Sequence, residues 1–347
     1  MRVMFNLWHP AHVHFFRPVI ERLEVEGHLV FVTARDKEVT HTLLKAYGIP
    51  FTPVGKYLKG TLAKAVDLPR LELELLRASS HFKPDIVAGI SNPYGTHVSK
   101  LLDATSFVFT DTEHAAWENR LAFPLASKIV VPSCYRDPLQ KYGDRVVRYA
   151  GFHELAYLHP KYFSPDPGIL DRLGVSEGEG YAIVRFVDFG AAHDAGVKRM
   201  SVSERSEFVL DLSKKCRVFV TSEDDLPKQI EQFRHRIAPE RLHDALAFAS
   251  LYVGDGATMA SEAAMLGTPA VYTNALTMGY IEELDRTWGL IHHATKMETI
   301  QAEVSKVLEG ADTRQEYESR REKMLEAKVD VSDFVARLFL EQSPQPN

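Results

Sequence analysis

One feature limits the fold of this chain more than any other. Short apolar runs, each about the length of a strand, alternate with longer stretches of helical periodicity. In the first half the runs are Arg2–Leu7, Leu29–Thr33, Ile86–Gly89, Phe107–Thr110 and Ile129–Val131. In the second half they are Tyr181–Arg185, Val218–Thr221, Leu251–Val253, Ala270–Tyr272 and Leu290–His292. Runs that are apolar on both faces and separated by helices predict parallel sheets covered by helices, hence an α/β fold. Phe15–Glu26 reads as the clearest helix, with Phe16, Ile20 and Leu23 on one face and Gly27 as its stop. The rhythm breaks once, at "GFHELAYLHPKYFSPDPG" (Gly151–Gly168), a proline- and aromatic-rich stretch that reads as a packed connection between two domains. A charged helical tail from Thr313 to Gln342 carries an apolar face at Phe334, Leu338 and Phe339, and it is expected to pack back across the domain interface. Two doubly wound domains facing each other would form a cleft at the carboxyl ends of their strands, where open α/β folds bind ligands.

The most informative stretch is "LYVGDGATMASEAAMLGTPAVYT" (Leu251–Thr273): a strand, a glycine turn, a short helix, a Gly-Thr-Pro stop and a second strand. The glycines permit a sharp turn and the close approach of a ligand. The free N–H groups of the first helical turn and the positive end of the helix dipole suit an anion such as a pyrophosphate. Glu262, one turn further on, can accept two hydrogen bonds from a vicinal diol such as a ribose. A capped core helix remains the ordinary alternative. The stretch is neither a Walker loop nor the dinucleotide glycine fingerprint.

"HDALAFASLYVGDGATMASEAAMLGTPAVYTN" (His243–Asn274) resembles the donor-nucleotide segment of GT-B glycosyltransferases and of their relatives, the non-hydrolysing UDP-N-acetylglucosamine 2-epimerases. It is similar to the pattern of a prokaryotic branch of glycosyltransferase-like domains of unknown function. The resemblance implies a GT-B-like fold of two Rossmann-like domains. Residues 1–152 would form an acceptor-side domain, 153–168 the connection, 169–329 the nucleotide-sugar donor domain and 330–347 the returning helix and tail. It places Gly256, Ala257 and Thr258 at the donor phosphates and Glu262 at the ribose.

Polar residues just past the other strands supply the remaining candidates. "NLWHPAHVHFFRP" lacks the glycines common in this first loop and carries His9, His12 and His14 instead. Imidazole titrates near neutrality, so His12, mid-loop beyond Pro10, and then His14 are candidate general bases for an acceptor hydroxyl. "VFTDTEHAAWENR" offers Asp111 and Glu113 as alternative bases and His114 on the acceptor side. "ISNPYGTHVSK" adds Ser91 and Asn92 as acceptor contacts, with helix capping by Asn92-Pro93 as the competing role. After Tyr181–Arg185, Arg185 is the expected counter-charge to a leaving diphosphate and His193 a donor contact. The spacing His9-x-x-His12-x-His14 permits a metal site, but no carboxylate or cysteine stands nearby in sequence and no Asp-x-Asp-like motif is placed for catalysis, so transfer without a metal or other cofactor is the expectation.

These features lead to a glycosyltransferase that takes a nucleoside-diphosphate sugar to a glycan, lipid-linked or small-molecule acceptor, as in polysaccharide or glycoconjugate synthesis. The alternatives are a nucleotide-sugar 2-epimerase or related transferase and a non-catalytic nucleotide-sugar-binding protein on the same fold. The Thr-x-His-Arg-Arg-Glu-Asn pattern of the 2-epimerases is absent after Tyr181–Arg185. A net charge of −6 over 347 residues argues against nucleic acid as a partner. Cys134 and Cys216 have no metal-like spacing and fit a reducing cytoplasm. The N-terminal "MRVMFNLWHP" is too soon interrupted by polar residues for a signal peptide, and no run reaches the roughly 20 apolar residues of a spanning helix. Peripheral membrane contact is compatible with the sequence.

Overall fold

The computed structural model describes residues 1–36, 39–56, 61–176, 178–186, 200–222, 225–310 and 313–342. The chain divides into two compact α/β units. The first comprises Met1–Tyr157 together with Lys328–Asn347, and the second comprises Leu158–Ala327.

The first unit holds a seven-stranded parallel sheet. Its strands are β1 (Arg2–Leu7), β2 (Leu29–Asp36), β3 (Thr52–Lys56), β4 (Ile86–Ile90), β5 (Thr105–Phe109), β6 (Lys128–Pro132) and β7 (Val146–Tyr149). Their order is β3-β2-β1-β4-β5-β6-β7, so the winding reverses between β1 and β4. The sequence rhythm did not reveal β3 or β7. "TPVGK" carries a proline and a glycine, and "VVRY" is short. Both are edge strands, which tolerate such residues because one side makes no ladder.

The first long helix runs over Pro10–Val25, five residues earlier than its apolar periodicity alone predicts. The reason is local. Pro10 stands at the first helical position, where its missing N–H is no loss, and the His9 ring accepts the Ala11 N–H at 3.2 Å. His12 and His14 are therefore helical rather than mid-loop residues.

This helix and the C-terminal helix Val331–Leu340 share an aromatic core with the sheet. Phe16 lies 5.0 Å from Phe5 and 5.5 Å from Phe109, while Phe339 lies 4.9 Å from Phe107. The tail is thus a structural part of the first unit. Asp330 caps its helix, Val329 N–H donates to the Ala150 carbonyl at 2.8 Å, and Arg22 pairs with Asp333 at 2.7 Å. Gly151 admits the helix closely: a Cβ there would stand 2.7 Å from a methyl of Val331.

The second unit holds a five-stranded parallel sheet. It is formed by β8 (Tyr181–Arg185), β9 (Arg217–Thr221), β10 (Leu251–Gly254), β11 (Ala270–Tyr272) and β12 (Ile291–His293). The order β12-β11-β10-β8-β9 places the winding reversal between β8 and β10. Val184, Val253, Val271, Phe208, Leu212 and Ile300 lie in one of its buried cores. No helix among the described residues is long and apolar enough to cross a membrane.

The Phe339 ring is fully buried among Phe5, Phe107 and Phe109. We expect Phe339→Ala to cost about 3–5 kcal/mol, as large-to-small changes of aromatic core residues do. Urea unfolding followed by circular dichroism measures it, and a loss below 1 kcal/mol would show the tail to be dispensable.

Candidate functional site

The glycine turn of the second unit opens where the winding reverses, the position at which doubly wound sheets bind ligands. β10 ends at Gly254, paired in register with Arg185 of β8. A Cβ on Gly254 would lie 2.3 Å from the Arg185 carbonyl oxygen and 2.6 Å from the Tyr252 hydroxyl, so only glycine fits. The turn's carbonyl groups are used internally. Gly254 O accepts the Thr273 N–H at 2.8 Å, Asp255 O accepts the Asn274 side-chain amide at 3.3 Å, and Gly256 O accepts the Tyr252 hydroxyl at 3.2 Å.

The helix Ala257–Met265 then begins at Gly256 without a side-chain cap. The N–H groups of its first turn, including those of Ala257 and Thr258, are thus left to other acceptors. Gly256, Ala257 and Thr258 are partly exposed. Buried Asp255 lies 3.5 Å from Arg205, whose guanidinium stands 5.0 Å from the Phe186 ring centre. Glu262, on the same helix, is 4% exposed, and its Oε1 lies 2.9 Å from His243 Nε2. The sequence pointed to Glu262 but not to His243. "HDALAF" reads as plain helix, and only the packing of Leu242–Phe248 against the glycine-turn helix brings the ring to the carboxylate. Arg185 is half-buried at the end of β8. His193 lies outside the described residues.

In the first unit the candidates separate. Asn92 is 2% exposed and caps the helix Pro93–Leu101, accepting the Gly95 N–H at 2.9 Å. Its amide fills the space above Gly89 and Gly95, each of whose Cβ atoms would meet Asn92 Nδ2 at 2.4 Å. Ser91 holds a left-handed backbone at φ 42° and donates its hydroxyl to Thr110 at 3.0 Å. His14 is buried, 3.2 Å from the Tyr47 hydroxyl and stacked on Tyr157 at 5.2 Å. His12 is half-buried, and its Nδ1 accepts the Trp8 N–H at 3.4 Å. Glu113 accepts the Arg136 N–H at 3.0 Å and lies 3.4 Å from that guanidinium. His114 is exposed.

Asp111 has the partner that the sequence did not disclose. Its Oδ2 lies 3.1 Å from Nδ1 of His153, and its Oδ1 accepts the Thr112 hydroxyl at 2.8 Å. His153 is 7% exposed and sits between Phe15, at 4.7 Å, and the parallel ring of Tyr149, at 6.3 Å. Burial disfavours both charged forms, but the pair outweighs it. The His153 imidazolium and its hydrogen bond hold the Asp111 carboxyl below the usual range, and Asp111 pushes His153 above its usual value. In the sequence His153 lies within the break in the strand–helix rhythm, 42 positions from Asp111, so no local spacing could connect them.

The fold is GT-B-like, shared with solved structures of a nucleotide-sugar epimerase and of a glycosyltransferase. UDP-GlcNAc 2-epimerase from Neisseria meningitidis, solved with UDP-GlcNAc, matches with a TM-score of 0.73 at 13% identity, over 98% of this chain and 100% of its own. The glycosyltransferase VinC, solved with dTDP, matches with a TM-score of 0.62 at 14% identity, over 99% of each chain. Residues 1–331 match the family described as protein of unknown function (DUF354), and the chain belongs to it. Uncharacterized protein MJ0665 of Methanocaldococcus jannaschii is 26% identical over 279 residues, 78% of this chain and 80% of that protein.

Two outcomes are expected from this geometry. Gly254→Ala must displace backbone at the meeting of β8 and β10, so we expect a loss of about 1–3 kcal/mol, read by thermal melting. The Asp111–His153 pair adds most stability between pH 3.8 and 6.5, the ordinary values of the two groups. The Asp111 contribution is lost as pH falls through its lowered value, and the His153 contribution as pH rises through its raised one. Stability of the wild type minus that of Asp111→Asn, measured by urea unfolding across pH, should therefore pass through a plateau in that window. A difference that does not vary with pH would refute the ion pair.

Proposed function

We propose that this protein binds a nucleoside-diphosphate sugar in its second unit and transfers the sugar to an acceptor held by its first. One observation carries the reading: an uncapped helix N-terminus opens directly behind a glycine turn at the winding reversal of the second sheet. The turn's carbonyl groups are engaged within the protein. What it presents to a ligand is therefore donors and a positive dipole end, which suit a diphosphate. Arg185, on the strand beside the turn, supplies a cation for the charge that builds on the leaving nucleoside diphosphate. Glu262 is the acceptor for the ribose hydroxyls, oriented by His243. The first unit contributes the proton-transfer groups, with Ser91 and His114 on the acceptor side. His12 and Glu113 are the other candidate bases, and His193 and the first-turn residues Gly256, Ala257 and Thr258 complete the donor contacts. His14 and Asn92 are engaged in packing and capping, which favours structural roles for both. The proposed setting is the cytoplasm, where nucleotide sugars are made, and the proposed chemistry needs no metal ion.

A second reading is 2-epimerisation of a nucleotide sugar, favoured by the higher TM-score of the epimerase structure, 0.73 against 0.62. It shares the donor site and differs in the fate of the sugar.

Thermal shift with UDP and dTDP tests the shared step. Saturation at about 100 times Kd should stabilise the wild type by about 2.7 kcal/mol. Glu262→Gln, which keeps the side-chain volume, should weaken nucleotide binding by about tenfold or more, the equivalent of one lost charge-assisted hydrogen bond. Absence of any nucleotide-induced shift in the wild type would overturn the donor site. Product analysis after incubation with UDP-N-acetylglucosamine separates release of UDP, expected for transfer or hydrolysis, from an epimerised nucleotide sugar.

A further inference from the structure

The glycine turn of the second unit contains an acid, which is at odds with a diphosphate site unless something answers its charge. Asp255 stands between Gly254 and Gly256, immediately before the helix whose first-turn N–H groups would meet the phosphates. A carboxylate there repels the ligand and competes with it for the same donors. We infer, on the donor reading above, that Arg205 is a positioning residue of the site: it pairs with Asp255, cancels its charge and keeps its carboxylate from capping that helix, so that the turn can take a nucleoside diphosphate.

Asp255 Oδ2 and a terminal nitrogen of Arg205 are 3.5 Å apart, with side chains only 6% and 5% exposed. The backbone of Asp255 is tied on two sides. Its N–H donates to the Arg185 carbonyl at 3.2 Å, and its carbonyl accepts the Asn274 amide at 3.3 Å. Asn274 is held in turn by His293, whose Nε2 donates to the Asn274 carbonyl at 2.7 Å. Arg205 is packed as firmly. Its guanidinium stands 5.0 Å from the ring centre of Phe186, which is fully buried directly after β8.

Local helix chemistry explains neither charge. Arg205 lies near the start of the helix Val202–Leu212, where a cation opposes the helix dipole, and a capping box of Ser201 and Glu204 already closes that end. Asp255 stands beside a helix N-terminus, where an acid is ordinarily drawn to the free N–H groups, yet the helix Ala257–Met265 has no side-chain cap. Desolvation offsets much of the attraction within a buried pair, so core stability alone does not account for it either. Its effect is on the turn. With Asp255 answered by Arg205, the helix dipole and Arg185 on the neighbouring strand give the turn a net positive field.

The test measures the affinity for UDP by isothermal titration calorimetry in the full-length wild type, Asp255→Asn, Arg205→Met and the double variant. The expected signs are opposite. Asp255→Asn removes a negative charge from the turn and should tighten UDP binding about tenfold, whereas Arg205→Met exposes the ligand to that charge and should weaken it about tenfold. The double variant, with neither charge, should return to within about threefold of the wild type. Both single effects should be smaller for UMP, which carries less charge than UDP. Weaker binding in both single variants, as a merely structural pair would give, overturns the assignment and leaves the donor site standing. A double variant as weak as Arg205→Met would make Arg205 a direct phosphate contact and overturns the positioning role. Should Arg205→Met fail to fold, as circular dichroism would show, the other two variants decide: Asp255→Asn must bind UDP more tightly than the wild type and the double variant equally, and any other order overturns the assignment. Failure of the wild type to bind either UDP or dTDP overturns the donor reading, and this assignment with it.

Discussion

Parallel strands cannot be joined by a tight turn; each must be followed by a crossover that returns the chain to the starting edge. Both units of this protein are organised by that constraint. Within each sheet every strand runs the same way, so every strand-to-helix loop of that unit leaves from one edge. Residues far apart in the chain, such as Ser91, Asp111 and His153, therefore come together at one sheet edge without any long loop to carry them. Where the winding reverses, two successive crossovers part to opposite faces and leave a gap. In the second unit that gap is flanked by Arg185 and Gly254, whose register leaves no room for a Cβ.

Buried polar pairs occur at these same edges. Asp111–His153 in the first unit and His243–Glu262 and Arg205–Asp255 in the second are each almost withdrawn from solvent. Such pairs are seldom the cheapest way to fill a core, because desolvating both groups offsets much of their attraction. They stand just beyond β5 and beside the glycine turn, at the carboxyl ends of the strands, where open α/β sheets bind ligands. A buried partner fixes the orientation and proton distribution of a functional group before any ligand arrives, so less reorganisation is needed on binding. The aromatic core beneath, with Phe5, Phe16, Phe109 and Phe339 in mutual contact, provides a rigid floor for the Asp111–His153 edge.

Much of the architecture is legible in the chain because it depends on local patterns. Apolar runs such as "RVMFNL" and "YAIVR" are strands where the sequence places them, buried along nearly their whole length. The glycine turn and its helix are equally local. Errors arose where short-range chemistry competes with periodicity. Pro10 and the His9 ring start the first helix before its apolar face begins, so His12 and His14 are helical. The edge strands Thr52–Lys56 and Val146–Tyr149 escape notice because an edge needs neither length nor apolar continuity. The surroundings of Asn92 and His14 also depended on packing. Gly89 and Gly95 make space for the Asn92 amide, and Tyr47 and Tyr157 enclose the His14 ring.

The sequence by itself determined the alternation of strand and helix, the glycine turn before Ala257 and the acidic residue one turn beyond it. These follow from side-chain periodicity and backbone freedom, both properties of a few adjacent residues. Only the tertiary structure decided which groups are partners: His153 for Asp111, His243 for Glu262 and the Arg185 carbonyl for the vacant face of Gly254. Strand order and register set those distances, and parallel pairing joins segments whose separation along the chain carries no information about their separation in space.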